Sequence, residues 1–283
     1  MSSLCYPNYP KESPMSMGGM GGTVGSLAFH SGGGFSGDCD AALGYTGYLQ
    51  QQLNAGKSSS YSGSGTTWDD ISGNSYDATL VNGVSFAAAG DGKGAPEMGC
   101  GTLEFNATDS EYVTLGNTGG EFGTQWSFGM WAYFDKASLG TPGPGNYPGF
   151  FNSEGLFTTS ATSSWNASEG FAYSVQEVWY NPTGGGQKYI SWGNYVSARE
   201  WHYHSATYNA GTVKVYIDGT LRVTANDFPN NYSVNTTPGL AVQDDSGRGA
   251  FEGSIGEFHF YSNTLTDANV LANYNSHKAN YGH

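Results

Sequence analysis

Beyond about residue 45, apolar and polar positions alternate in short runs separated by Gly, Asn, Asp and Pro every 8 to 15 residues. The clearest runs are 78–81, 101–105, 112–115, 126–134, 170–178, 188–192, 201–208, 212–217, 220–224, 239–242 and 256–261. They are rich in Tyr, Phe, Trp, Val and Thr. A period of two in such residues predicts strands. Segment 46–56 reads as a strand or a short helix. In VKVYIDGTLRV (213–223), Asp218-Gly219 joins two alternating segments, which predicts a hairpin. One stretch, LTDANVLANYN (265–275), has helical spacing, with Thr266 placed to cap it and Asp267 in its first turn. About a dozen strands and one helix predict an all-β sandwich or barrel.

Residues 1–44 follow a different pattern. Rich in Gly, Ser, Met and Pro, they cannot bury enough apolar surface to order alone. They read either as an arm that orders against a partner, with 24–29 available as an added strand, or as a disordered tail. The β domain then spans 45–283.

Composition narrows the function classes. The 283 residues carry a net charge of −14, with 12% charged and 15% aromatic residues. The aromatic content argues against global disorder. Ten scattered basic residues leave no footprint for nucleic acid. No stretch approaches the roughly 18 apolar residues that span a bilayer. The N-terminal residues lack the apolar core of a secretory signal. Cys5, Cys39 and Cys100 are too few and too far apart for a zinc motif, and free thiols are expected over a Cys39–Cys100 bridge.

Four segments together resemble the laminin G-like branch of the concanavalin A-like lectin/glucanase superfamily. They are WSFGMWAYF (126–134) after GTLEFNATDSEYVTLGN (101–117), WHYHSATYNAGTVKVYIDGTLRVT (201–224), and GSIGEFHFYSNTLTDANVLANY (253–274). The fourth, SSYSGSGTTWDDISGNSYDATLVNGVSF (59–86), is similar to the motif in versions carried by bacteriophages and marine viruses. The resemblance covers roughly 45–275. It implies a jelly roll of two antiparallel sheets, with 126–134 central: one face in the core, the other toward the second sheet or a ligand.

Glucanases of that superfamily need two carboxyls on one strand face, one protonated and one ionised. No Glu here lies two to four residues from another carboxylate within a predicted strand, and Glu252 and Glu257 are expected to straddle a Gly-Ser turn. His202 and His204 alternate on one strand, which reads as packing or a surface hydrogen bond in preference to a metal face. The loop DDISGN offers Asp69, Asp70 and Asn74, either as calcium ligands or as Asx turns. DDSG (244–247) is a second acidic turn, but Gly256 replaces the Asp usual in the family's closing strand. Sugar rings stack on flat aromatic faces while amides bond their hydroxyls. The segment 178–195 supplies Trp179, Tyr180, Trp192 and Tyr195 with Asn181, Gln187 and Asn194 around a Gly-rich tip, and is the expected glycan or partner contact.

These readings converge on a non-enzymatic virion surface protein: a capsid decoration, spike or tail-fibre domain with a glycan-binding or adhesive role. Its expected partners are glycans or neighbouring virion subunits, in a homo-oligomer or larger assembly built in the host cytoplasm. The alternatives are an extracellular carbohydrate-binding or adhesion protein of a cell, and a glycoside hydrolase with an unrecognised carboxylate pair.

Overall fold

The strand β7 (Gln125–Phe134) organises the domain. Trp126, Phe128, Met130, Ala132 and Phe134 enter the main core, while Trp131 and Tyr133 occupy the opposite face. The computed structural model describes residues 39, 41–93, 100–106, 109–116, 123–135, 149–153, 157–161, 176–180, 188–192, 196, 199–226, 228, 238–241 and 251–283.

Two antiparallel sheets build the sandwich. The first contains β1 (Leu49–Asn54), β4 (Ser85–Ala87), β5 (Thr102–Phe105), β7, β12 (Trp201–Asn209), β13 (Thr212–Ile217), β14 (Thr220–Ala225) and β16 (Gly253–Tyr261). Their order is β14-β13-β12-β7-β16-β5-β4, with β1 also paired to β16. The second contains β2 (Thr67–Trp68), β3 (Ala78–Val81), β6 (Tyr112–Thr114), β8 (Gly149–Ser153), β9 (Phe157–Ala161), β10 (Gln176–Tyr180), β11 (Lys188–Trp192) and β15 (Gly239–Leu240). Its order is β11-β10-β9-β8-β15-β6-β3-β2. The expected all-β sandwich with one C-terminal helix is present. Segment 46–56 is a strand, and the expected strand in 170–178 is described only from Gln176 onward.

The core lies between the sheets. Leu80, Val113 and Leu240 from the second meet Phe128, Met130, Phe258 and Phe260 from the first. A second layer covers the outer face of the first sheet. There α1 (Asp267–His277) and a 3-10 turn (Lys278–Tyr281) bury Trp131, Trp201, Tyr203, Tyr216 and Tyr261. So the outer face of β7 meets neither the second sheet nor a ligand: Tyr281 stacks on Trp131 with centroids 4.4 Å apart. Gly256 permits this approach, because a Cβ there would collide with the Tyr281 hydroxyl. Thr266 caps α1 as expected, its hydroxyl accepting from the Asn269 amide at 3.2 Å.

Two expectations are corrected. Glu252 and Glu257 do not straddle a turn: Gly253 and Ser254 lie within β16, paired to β7 and β5, and the irregularity is a bulge between Ile255 and Glu257. Cys39 and Cys100 are not free thiols. They form a disulfide with Cα atoms 5.7 Å apart, inside the range that the bond requires. Leu43 is buried, and the Gly44 amide donates to Ser276 Oγ at 3.2 Å, so residues from Cys39 onward pack with the sandwich. The segments 24–29 and 244–247 lie outside the described residues.

Candidate functional site

The segment singled out for recognition becomes the ribbon β10–β11 at the edge of the second sheet. Its register pairs Gln176 with Trp192, Val178 with Ile190, Trp179 with Tyr189 and Tyr180 with Lys188. Strand residues alternate faces, so positions 179 and 192 fall on opposite faces of the ribbon. Register fixes which face is which. Leu240, in the core, stands opposite Phe151, Phe151 opposite Thr159, Thr159 opposite Val178, and Val178 opposite Ile190. Positions 178, 180, 190 and 192 therefore share the core-facing parity. Positions 177, 179, 189 and 191 occupy the outer face, beside 158 and 160 on β9. By register alone, positions 177, 179, 189 and 191 share one parity and positions 180 and 192 the other. Asn181, Gln187, Asn194 and Tyr195 lie outside the described residues. Tyr189 and Glu177 were not legible as partners of Trp179, because cross-strand pairing depends on the length of the intervening loop.

The loop carrying Asp69, Asp70 and Asn74 is built from hydrogen bonds. Asp70 Oδ1 accepts from the amides of Gln52 (2.8 Å) and Ser72 (2.9 Å), and Oδ2 from Ser72 Oγ (2.7 Å) and the Tyr76 amide (3.0 Å). Asn74 donates its side-chain amide to the Gln50 carbonyl at 2.9 Å. Asp69 is exposed. Asp70 makes the expected Asx turn to Ser72, whereas Asn74 ties the loop to β1 through its side-chain amide. Both oxygens of Asp70 face N–H and O–H donors.

His202 and His204 stand opposite Ala132 and Met130 of β7, on its core-side parity, and are nearly buried. His202 Nδ1 lies 2.8 Å from Asp218 Oδ2, and since a carboxylate only accepts, the ring donates. Burial alone would raise the Asp218 pKa, but the hydrogen bond and charge of His202 bring it below the ordinary carboxylate value. Burial drives His204 down to about 3, His202 adding to the effect and Asp218 opposing it. His202 thus meets the packing and hydrogen-bonding expectation, with Asp218 in the hairpin turn as its partner. His202, Asp218 and His283 also bring ligand atoms within 4.8 Å of one another near the surface.

Four of the described carboxylates, Glu104, Glu111, Glu252 and Glu257, are engaged by donors. Glu104 accepts from the Lys93 amide, and Glu252, nearly buried, pairs with the Lys93 ammonium. Glu111 accepts from the Asn106 amide at 2.6 Å. Burial raises its pKa, the amide opposing it. Glu257 is fully buried against His277. Among the described residues none of these forms an open pair across a cleft, the arrangement that glycoside hydrolysis requires.

Comparison with known proteins places this geometry. The sequence pattern of the concanavalin A-like lectin/glucanases superfamily matches residues 106–271. No curated protein sequence matches the chain. Among solved structures, domain 4 of AbnA, a GH43 extracellular arabinanase from Geobacillus stearothermophilus in complex with arabinotriose, superposes with a TM-score of 0.54 at 16% identity. The match covers 79% of this chain and 96% of that one. The binding domain of Paraclostridial Mosquitocidal Protein 1 gives a TM-score of 0.59 at 15% identity, over 82% and 52%. The binding domain of botulinum neurotoxin DC in complex with SialylT gives 0.54 at 14%, again over 82% and 52%. The chain spans about half the length of those toxin domains, and at such identities the likeness is one of fold. With more than half of its residues inside the matched pattern, the chain belongs to the concanavalin A-like lectin/glucanases superfamily.

Proposed function

We propose that this chain is a non-enzymatic carbohydrate-recognising domain and that the outer face of β10–β11 is its contact surface. The observation that carries the reading is the register, which pairs position 179 with position 189 at the edge of the second sheet, with positions 177 and 191 on the same parity. An aromatic pair flanked by carboxylate and hydroxyl residues suits a sugar, whose C–H patches stack while its hydroxyls are bonded at the rim. Two structural neighbours were solved with arabinotriose and with SialylT, which supports a glycan as the ligand. The engaged carboxylates support binding without hydrolysis.

The wider setting proposed is a virion surface, as a capsid decoration, spike or tail-fibre domain, with the residues that precede Cys39 as the arm joining a neighbouring subunit. The Cys39–Cys100 disulfide supports work in an oxidising, extracellular setting. Calcium is not needed for this reading.

The test is a glycan array including arabinan fragments and sialylated oligosaccharides, with Trp179→Ala and Trp192→Ala compared at matched folding. An aromatic stacking contact contributes about 0.5–1.5 kcal/mol, so Trp179→Ala should weaken binding roughly 2- to 13-fold. Trp192→Ala should instead lower the melting temperature, as an inner-parity residue. Wild-type binding by the Trp179 variant would remove the outer face from consideration, and reducing-sugar release from arabinan would overturn the non-enzymatic reading.

A further inference from the structure

Beneath α1, three metal-ligating side chains meet in a dry environment. Glu257 and His259 are two apart on β16 and so share its outer face. His277, the last residue of α1, descends onto them. All three are fully buried. One ligand atom from each, a carboxylate oxygen and two imidazole nitrogens, lies within 4.8 Å of the others.

Their hydrogen bonding is incomplete in an informative way. His277 Nε2 lies 2.8 Å from the Ala41 carbonyl. A carbonyl only accepts, so Nε2 carries a proton, and in the neutral ring the Nδ1 lone pair is directed at Glu257 Oε2. A ring nitrogen anchored on a backbone carbonyl is the usual way in which a protein orients a histidine ligand. His259 Nε2 lies 3.3 Å from Glu257 Oε2. His259 Nδ1 has no partner, its Nε2 reaches Glu257 only through that longer contact, and the Tyr281 hydroxyl also engages the Glu257 carboxylate.

An ion pair of Glu257 with protonated His277 accounts for one oxygen and one ring, and leaves His259 unexplained. Buried polar groups without partners are rare in folded proteins and call for a reason. A zinc ion supplies one. Two donors each about 2.0–2.2 Å from a tetrahedral zinc stand about 3.4 Å apart, close to the His259–Glu257 separation, whereas His277 Nδ1 bonds Glu257 directly and has to draw back to admit an ion. We propose that Glu257, His259 and His277 hold a zinc-class divalent ion that pins α1 to β16 and to the strip around Ala41. Burial makes the role structural: the ion enters as the chain folds, taking the place that a proton on His277 occupies without it.

The full-length chain is refolded with Zn2+ or Co2+, dialysed, and assayed for metal by mass spectrometry and for Co2+ by its visible d–d bands. The expected result is one ion per chain with a low-symmetry Co2+ spectrum, unchanged in His283→Ala. That variant disables the surface trio of His202, Asp218 and His283 and serves as the control for position. His259→Gln should lower Zn2+ affinity at least about tenfold. If His259→Gln does not fold, the spectrum of the unaltered chain and its persistence in His283→Ala decide the matter. Absence of a retained ion from the unaltered chain, or loss of that ion in His283→Ala, overturns the proposal and leaves the ion pair.

Discussion

The two faces of the first sheet are buried by different chemistry. Its inner face meets the second sheet through Phe128, Met130, Phe258 and Phe260, groups that pack without direction. Its outer face meets the C-terminal segment through Trp131, Tyr203, Tyr261 and Tyr281, and the same layer holds Glu257, His259, Asn273 and His277. There contacts are directional: Asn273 donates to the Tyr261 hydroxyl at 2.8 Å, and Tyr216 donates to Asp267 at 2.7 Å. Apolar packing tolerates substitution of similar volume, whereas a buried polar network fails when one member loses its partner. The inner face thus tolerates repacking, and the outer layer is the more exacting of the two.

The sharpest way to break the contrast is to truncate one aromatic on each face. Phe128→Ala should cost about 3–5 kcal/mol, as large-to-small changes in a packed core do. Trp131→Ala should cost as much, because Tyr281, Tyr274 and Tyr203 all have ring centroids within 5.6 Å of it. Urea unfolding of both variants measures this. A Trp131→Ala cost near zero would reduce the outer layer to a loosely laid cover.

Legibility in the sequence divides along the same line. The alternation of β7 exposes its apolar sides, and Asp218-Gly219 marks a hairpin whose two residues take φ of 53° and 70°, the left-handed values that a type I′ turn needs. Pattern alone could not say what covers Trp131. The cover is a helix whose buried residues are Val270, Asn273 and His277, two of them polar, so it shows little apolar stripe. The candidate recognition face was half legible. The aromatics of 178–195 were visible, but whether 179 and 192 share a face depends on a register set by the residues between them. Glu257 was seen as a carboxylate without a mate, while its histidine partners, one of them on a distant helix, could not be paired by spacing.

The disulfide sharpens the comparison from the side of the cover. It holds the strip through Ala41 and Gly44 against α1, and the two cysteines are 61 residues apart. Cys39→Ser with Cys100→Ser should cost about 2–4 kcal/mol by freeing that loop in the unfolded chain. A truncation beginning at residue 45 should lose at least as much, and one beginning at residue 39 almost nothing. Melting temperatures of the three chains, compared with and without reductant, check the order. Equal values would mean that the strip contributes nothing to the outer layer.

The smallest effect tests whether the inner face is as silent to pH as its apolar character implies. His204 is its exception: nearly buried on the core-side parity, facing His202 on its own strand and Asp218 in the β13–β14 turn, with a pKa of about 3. The unfolded chain takes up this proton near pH 6.5, and the folded chain refuses it until about pH 3. Between those values the unfolded state binds more protons, so stability falls as pH falls, by up to about 1.4 kcal/mol per pH unit. From pH 7.5 to 4.5 the total should be about 2.7 kcal/mol from this group. His204→Asn keeps a polar side chain but cannot titrate, so its unfolding free energy should decline less over that window. Denaturant midpoints at pH 7.5, 6.0 and 4.5 for both chains measure the difference. Parallel curves would assign the acid sensitivity to the outer layer alone, while convergence of the two chains at low pH would place part of it in the inner face, at this one histidine.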